Sequence, residues 1–316
     1  MIDELVENVI NRQRRHIARS ISLIEGGDDQ APELLQKLHK HTGKAWRIGI
    51  TGPPGAGKST LIAELTKKLR EAGHRVAIVA VDPTSPFTSG AVLGDRIRMP
   101  DIEQDDDVFI RSMATRGSSG GLSARTADAV DVFDAAGFDY ILIESVGVGQ
   151  VELQIERVAD STLVVLVPES GDQVQAIKAG LMEIADLYIL NKSDRPGSNS
   201  MLQSLYAAVS FKGKHNEDWD VDILQTVASE GQGISELILA IEKHRHFLER
   251  SGKLQSRRKS QLEERIRNKV YDSIQASLWT PQRLAYLEQA LESAQRGDES
   301  PDSCASSIVQ DYQNKK

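Results

Sequence analysis

The 316-residue chain holds a single cysteine, Cys304. No disulfide can form within it, which fits a reducing cytosol. It also lacks any apolar run long enough to span a bilayer. The opening Met1-Ile-Asp-Glu-Leu5 has neither a secretory core nor the Arg/Ser-rich, acid-poor character of a transit peptide. Basic charge is in deficit, with 38 Lys and Arg against 46 Asp and Glu and a net charge of −8. That balance argues against nucleic acid as the main partner. The basic cluster Arg257-Arg258-Lys259 reads as a solvated helix face. The expectation is a cytoplasmic globular protein with no membrane partner, long enough for one large core plus extensions.

What the chain does have is a glycine-rich loop. Gly52, Pro53, Pro54, Gly55, Ala56, Gly57, Lys58, Ser59 and Thr60 fit G-x-x-x-x-G-K-[ST], the phosphate-binding P-loop. The glycines let the backbone turn tightly and offer its N–H groups to phosphate oxygens. Lys58 can reach the β- and γ-phosphates, and the Ser59 hydroxyl can ligate Mg²⁺. Residues 46–51 before the loop read as a short buried strand. Leu61, Leu65 and Leu69 after it mark one face of a helix. Strand, glycine loop and helix is the setting this motif requires.

The rest of the chain is organised around that unit. Residues 1–42 read as a helical extension, with Leu5, Val9, Ile17, Ile21 and Ile24 as a stripe that Gly26-Gly27 stops. A short second helix starts at Pro32. The extension packs either on the main domain or on a partner. Further strands are expected at 76–81, 108–112, 140–143, 162–167, 187–190 and 222–227. Several are apolar on successive residues, as strands covered on both faces are. The fold class is therefore α/β, a doubly wound, mainly parallel P-loop NTPase sheet over 43–250. Its ligand belongs at the C-terminal ends of the strands. Residues 211–220 read as a surface excursion. His244 and His246 read as surface residues and, at i, i+2, make a poor metal pair. From 251 a helical arm follows. Leu262, Ile266, Val270, Ile274 and Leu278 form its stripe, Thr280-Pro281 breaks it, and Leu284, Leu287 and Leu291 begin another. A stripe of this kind requires cover, either from a second subunit or from the same chain.

Polar motifs fall at the strand ends. Asp82 closes the second strand where a carboxylate can hold Mg²⁺, an ion that takes oxygen ligands; a helix or turn cap is its other reading. Asp95, in the loop that follows, reads equally as a surface acid. Residues 112–121 form a second Gly/Ser-rich loop. Glu144 and Gly147 stand where G proteins carry Asp-x-x-Gly, whose acid binds Mg²⁺ and whose glycine N–H meets the γ-phosphate. Loss of that phosphate would release such a loop. In 168–180, Asp172 reads as an N-cap, which leaves Lys178 unexplained. Asn191, Lys192, Ser193 and Asp194 match the guanine-reading Asn-Lys-x-Asp motif. A carboxylate at Asp194 can accept from guanine N1–H and the 2-amino group; adenine offers neither, so the site would reject it. Ala228, Ser229 and Glu230 form a weaker supporting loop for the base.

Together these stretches resemble the MeaB/ArgK family of P-loop GTPases, chaperones of cobalamin-dependent acyl-CoA mutases. The resemblance covers nearly the whole chain. It rests on 52–60, 81–86, 93–96, 109–117, 144–150, 171–180 and 191–194, with 109–117 and 144–150 the most specific. It implies a GTPase with Mg²⁺ among Ser59, Asp82, Asp95 and Glu144, and with Lys178 beside the base. Lys58, Asp82, Glu144 and Gly147 would carry the hydrolytic step. A third switch would lie within 168–180, and residues 251–316 would form a dimerisation arm. The implied partners are an adenosylcobalamin-dependent acyl-CoA mutase, its adenosyltransferase and a second copy of the chain. Two departures stand out: Ser145 replaces the usual Thr, and Ala228-Ser229-Glu230 differs from the usual Ser-Ala-x. The other readings are a nickel-insertion GTPase of the hydrogenase or urease type, or a transport-linked kinase. Scattered histidines and one cysteine speak against the nickel reading.

Overall fold

The computed structural model describes residues 2–82, 99–114, 124–145, 150–170, 180–211 and 219–314. They form two compact units, Met1–Arg258 and Lys259–Lys316. Seven parallel strands make one sheet in the order β3-β2-β4-β1-β5-β6-β7. The strands are β1 (Trp46–Thr51), β2 (Val76–Asp82), β3 (Val108–Ala114), β4 (Tyr140–Ser145), β5 (Ser161–Leu166), β6 (Leu187–Asn191) and β7 (Asp222–Thr226). Every residue of β4, β5 and β6 is buried, which explains why they are apolar without alternation. With β1 between β4 and β5, the loops after all three open on one edge of the sheet.

Alternate residues of β2 to β6 feed two cores, and β1 feeds one of them. One face is covered by α4 (Lys58–Glu71) and α9 (Ile234–Arg250), with Leu61, Leu65 and Ile241 against Ile48, Ile50 and Leu142. The other face meets α6 (Ala124–Ala135) and the N-terminal helices α1 (Ile2–Ile10), α2 (Arg14–Gly26) and α3 (Ala31–His39). Leu5, Val9, Ile17, Ile21 and Ile24 all lie in that second core. The main unit, then, covers the stripe of the extension. One-turn helices α5 (Pro100–Glu103) and α7 (Leu181–Ile184), with α8 (Ser198–Phe211), complete the unit.

The edge of the sheet opposite the loops is fastened by buried carboxylates. Asp134 accepts the backbone N–H groups of Gly43, Lys44 and Ala45 at 2.8, 3.0 and 3.0 Å, and Arg47 at 3.0 Å. It thereby fixes the linker between the N-terminal helices and β1. Asp160 accepts from the Arg47 backbone N–H and from Arg258. Asp186 accepts the Thr162 backbone N–H and a two-pronged Arg257 guanidinium, each bond at 2.8 Å. Arg257 and Arg258 are thus not a solvated helix face; they neutralise two acids with almost no exposure. His244 is also corrected. It is fully buried, with Nδ1 2.8 Å from Ser161 Oγ and Nε2 3.4 Å from Asp186. Its place in the stripe Leu237, Ile241, His244, Leu248 was the available signal. His246 is exposed, as read.

The second unit holds most of α10 (Lys253–Leu278), then α11 (Pro281–Arg296) and α12 (Pro301–Asn314). Thr280 caps α11 by accepting the Arg283 N–H, with Pro281 next in the chain, so the expected break marks a helix start. Ala290 of α11 and Cys304 and Ile308 of α12 are buried. On α10, Leu262, Ile266, Val270 and Ile274 remain 45, 55, 50 and 44% exposed. Among the described residues, no helix is long and apolar enough to cross a membrane.

Burial opposes the charge on Asp186, yet the Arg257 guanidinium beside it holds the carboxyl well below its usual range. A folded pKa that is depressed gives stability in full above the ordinary carboxylate value, lost as pH falls below it. Asp186→Asn removes the carboxylate that pairs with Arg257 and is expected to cost roughly 3–5 kcal/mol at pH 7. Urea unfolding should find that gap narrowed at pH 3, below the ordinary value of about 4. An equal gap at both pH values would refute the ion pair as its source.

Candidate nucleotide site

The P-loop is the turn between β1 and α4. Gly52, Gly55 and Gly57 adopt φ of 138, 75 and 87°, where a side chain is strained. At Gly52 and Gly57 space forbids one as well. A Cβ at Gly52 would sit 2.1 Å from the Val165 carbonyl oxygen, and one at Gly57 would sit 2.4 Å from Asn191 Nδ2. Pro53 and Ala56 are buried, whereas Pro54, Gly55 and Thr60 are exposed. Lys58 is buried at the first position of α4, and its Nζ donates to the Gly52 and Pro53 carbonyls at 2.8 and 3.1 Å. Those bonds hold the ammonium in the mouth of the loop. The start of α4 adds its N-terminal N–H groups, which favour anions.

Ser59 Oγ donates to Glu144 Oε1 at 2.8 Å. Glu144 is 4% exposed and lies on β4, whose register sets it beside Ile50 of β1. Hydroxyl and carboxylate at this distance are the oxygen donors a hard Mg²⁺ ion takes, so the residues present fit it. Asp82 ends β2, with its backbone opposite Ala114 of β3. The Asp82 side chain, Asp95, Gly147, Asp172 and Lys178 lie outside the described residues. Among the described residues no three His, Cys, Asp or Glu gather to hold a metal.

The residues of the Asn-Lys-x-Asp pattern sit at the end of β6. Asn191 Nδ2 donates to the Ala56 carbonyl at 2.8 Å. Its Oδ1 accepts from Thr226 Oγ1 at 3.0 Å and from the Ala228 N–H at 3.1 Å. One amide therefore joins the P-loop, β7 and the turn of Ala228, Ser229 and Glu230. Lys192 takes a left-handed φ of 56°, and its Nζ donates to the Gly55 carbonyl at 2.7 Å. Ser193 N–H and Oγ both donate to the Thr226 carbonyl. Asp194 is exposed at the tip. Ala228 is buried, while Ser229 and Glu230 are exposed. The structure thus brings 52–60, Glu144, 191–194 and 228–230 to one edge. The sequence reading missed Thr226 and the buried pair in which Ser145 Oγ donates to Thr51 Oγ1 at 2.8 Å. Both lie at strand ends, where a hydroxyl in an apolar run was the available signal.

A parallel sheet with a P-loop after its central strand and an Asn-Lys-x-Asp loop two strands away defines a P-loop GTPase. The family model described as methylmalonyl-CoA mutase-associated GTPase MeaB matches residues 17–283, and the chain belongs to that family. A Pyrococcus abyssi protein that carries a GTPase name is 45% identical over 313 residues, covering 98% of this chain and 97% of its own. The mouse mitochondrial protein named methylmalonic aciduria type A homolog is 34% identical, covering 82% of this chain and 67% of its own. The crystal structure of a LAO/AO transport system kinase has a TM-score of 0.75 at 27% identity, covering 99% of this chain and 97% of its own.

Lys58→Ala is expected to reduce GTP hydrolysis to background, because it removes the buried ammonium held in the mouth of the loop. The fold should survive, with a loss of about 1–3 kcal/mol for two carbonyls that keep no ammonium. Phosphate release and a thermal melt check the two halves separately. Wild-type turnover would refute the assignment.

Proposed function

We propose that this GTPase gates cobalamin loading and protection of an adenosylcobalamin-dependent acyl-CoA mutase of the methylmalonyl-CoA type. The observation that carries the reading is family membership across 17–283, in a family described as mutase-associated. The mouse relative's name points to methylmalonate metabolism as well. Residues 52–60 hold the phosphates, with Lys58 as the charged ligand. Asn191, Lys192, Asp194, Lys178 and the turn 228–230 hold guanine. Ser59, Asp82, Asp95 and Glu144 would hold Mg²⁺, which neutralises charge on the β- and γ-phosphate oxygens. Gly147 meets the γ-phosphate, and its loop, with 168–180, carries nucleotide state to the mutase. An adenosyltransferase that supplies the cofactor is a further partner, and the cytoplasm is the proposed compartment.

The test is GTP turnover with and without the cognate mutase. Acceleration by the mutase is expected in the wild type. Asp172→Ala and Gln175→Ala should bind GTP almost normally and lose most of that acceleration, since coupling between two sites runs both ways. No acceleration of the wild type would sink the client assignment; undiminished acceleration in both variants would remove 168–180 from the coupling.

We further propose that the chain is a homodimer through its C-terminal helices, with domains at 1–42, 43–250 and 251–316. The support is the exposed stripe of Leu262, Ile266, Val270 and Ile274 at four-residue spacing. Ile266→Asp with Val270→Asp should yield monomers in sedimentation at micromolar concentration and leave basal hydrolysis intact. A wild-type monomer, or a dimer that tolerates both charges, would contradict this interface.

A further inference from the structure

The residue after Asp194 is an arginine, whose charge lies within electrostatic reach of Asp194. An arginine there is a hazard to a guanine site. Guanidinium and carboxylate pair readily, and that pairing competes with guanine for the carboxylate's lone pairs and turns its oxygens away from the base. In this chain the guanidinium is turned elsewhere. Arg195 Nη1 donates to Glu169 Oε1 at 2.5 Å. Glu169 belongs to the turn Pro168–Ser170, which Val167 separates from the end of β5. Its carboxyl is held below the usual range by the hydrogen bond from Arg195. The two loops also lie close at Pro168, whose Cβ would be 3.9 Å from a Cβ placed on Gly197. The backbone of Arg195 is set by its own turn, with Arg195 N–H on the Lys192 carbonyl and Ser198 N–H on the Arg195 carbonyl. Only the side chain has a choice between the two acids.

We propose that Glu169 is a specificity-determining positioning residue: it holds Arg195 away from Asp194, so that both Asp194 oxygens stay available to guanine N1–H and the 2-amino group. This rests on the guanine-site reading of Asp194. It also links the base site to the turn that begins 168–180, because a shift of that turn would return Arg195 to Asp194 and loosen the base.

The experiment compares GDP and IDP binding to the full chain. Inosine keeps N1–H and lacks the 2-amino group, so the GDP/IDP ratio reports the second Asp194 oxygen. Glu169→Ala is expected to weaken GDP by about two- to fivefold, the range that exposed charge pairs span. IDP should weaken less, so the ratio falls. Arg195→Ala should bind GDP as the wild type does, and adding it to Glu169→Ala should restore the ratio. A merely structural clasp would weaken GDP and IDP alike and would not be cured by removing Arg195; that result overturns the proposal. Asp194→Asn separates the two levels. If it lowers the ratio while Glu169→Ala leaves it unchanged, the inference alone fails. If Asp194→Asn changes neither nucleotide, the guanine-site reading fails and the inference with it.

Discussion

The side-chain amide of Asn191 is the joint on which the site depends. It is 2% exposed and uses both ends: the nitrogen on the P-loop carbonyl of Ala56, the oxygen on Thr226 and Ala228. A buried amide with a partner removed costs about 1–3 kcal/mol per group left unpaired, so these contacts stand or fall together. The P-loop, the loop after β6 and the turn after β7 are therefore not three independent loops. Gly57 belongs to the same constraint, since its missing Cβ is the space that the Asn191 amide occupies. A motif read as two separate signatures, one for phosphate and one for base, is held by one hydrogen-bonded cluster.

The two edges of the sheet divide the work between them. At the loop edge, hydroxyls, carbonyls and a buried lysine meet at hydrogen-bond distance around the place where phosphates belong. At the opposite edge Asp134, Asp160 and Asp186 tie Arg47, Arg257 and Arg258 to the strand starts and to the 43–45 linker. Buried pairs of this kind add little net stability over apolar packing, but removing one partner is costly. Their effect is to fix where the N-terminal helices enter and where α10 leaves.

Much of this was legible in the chain. Seven strands are expected and the described residues hold seven, β1 with the bounds read from the sequence and β3 two residues longer. The P-loop and 191–194 were placed at strand ends because an apolar run followed by a fixed polar pattern specifies both. Strand order was not legible, since nothing in a strand's composition names its neighbours. The buried charges were misread for the same reason. Arg257 and Arg258 look like any basic helix face until Asp186 and Asp160, 71 and 98 residues away, are brought to them. His244 sits between Lys243 and Arg245, and that polar setting hid the helical stripe to which it belongs. Long-range partnership is a property of the fold, and local pattern carries it only where a motif has already recorded it.

The motif residues therefore do two kinds of work at once. Lys192 lies in the guanine-reading pattern and also bonds the Gly55 carbonyl; Asn191 lies in the same pattern and braces the P-loop. Ser59 is a candidate metal ligand and also donates to Glu144, the acid at the end of a different strand. Loss of activity in a variant of any of these is ambiguous, because a loosened scaffold and a lost ligand contact both weaken binding. Only a comparison that cancels the scaffold term, such as two nucleotides differing by one hydrogen-bonding group, isolates the chemical role. Asp194 is exposed and stands outside the brace, so the base-reading role proposed for it separates most cleanly from the architecture that presents it.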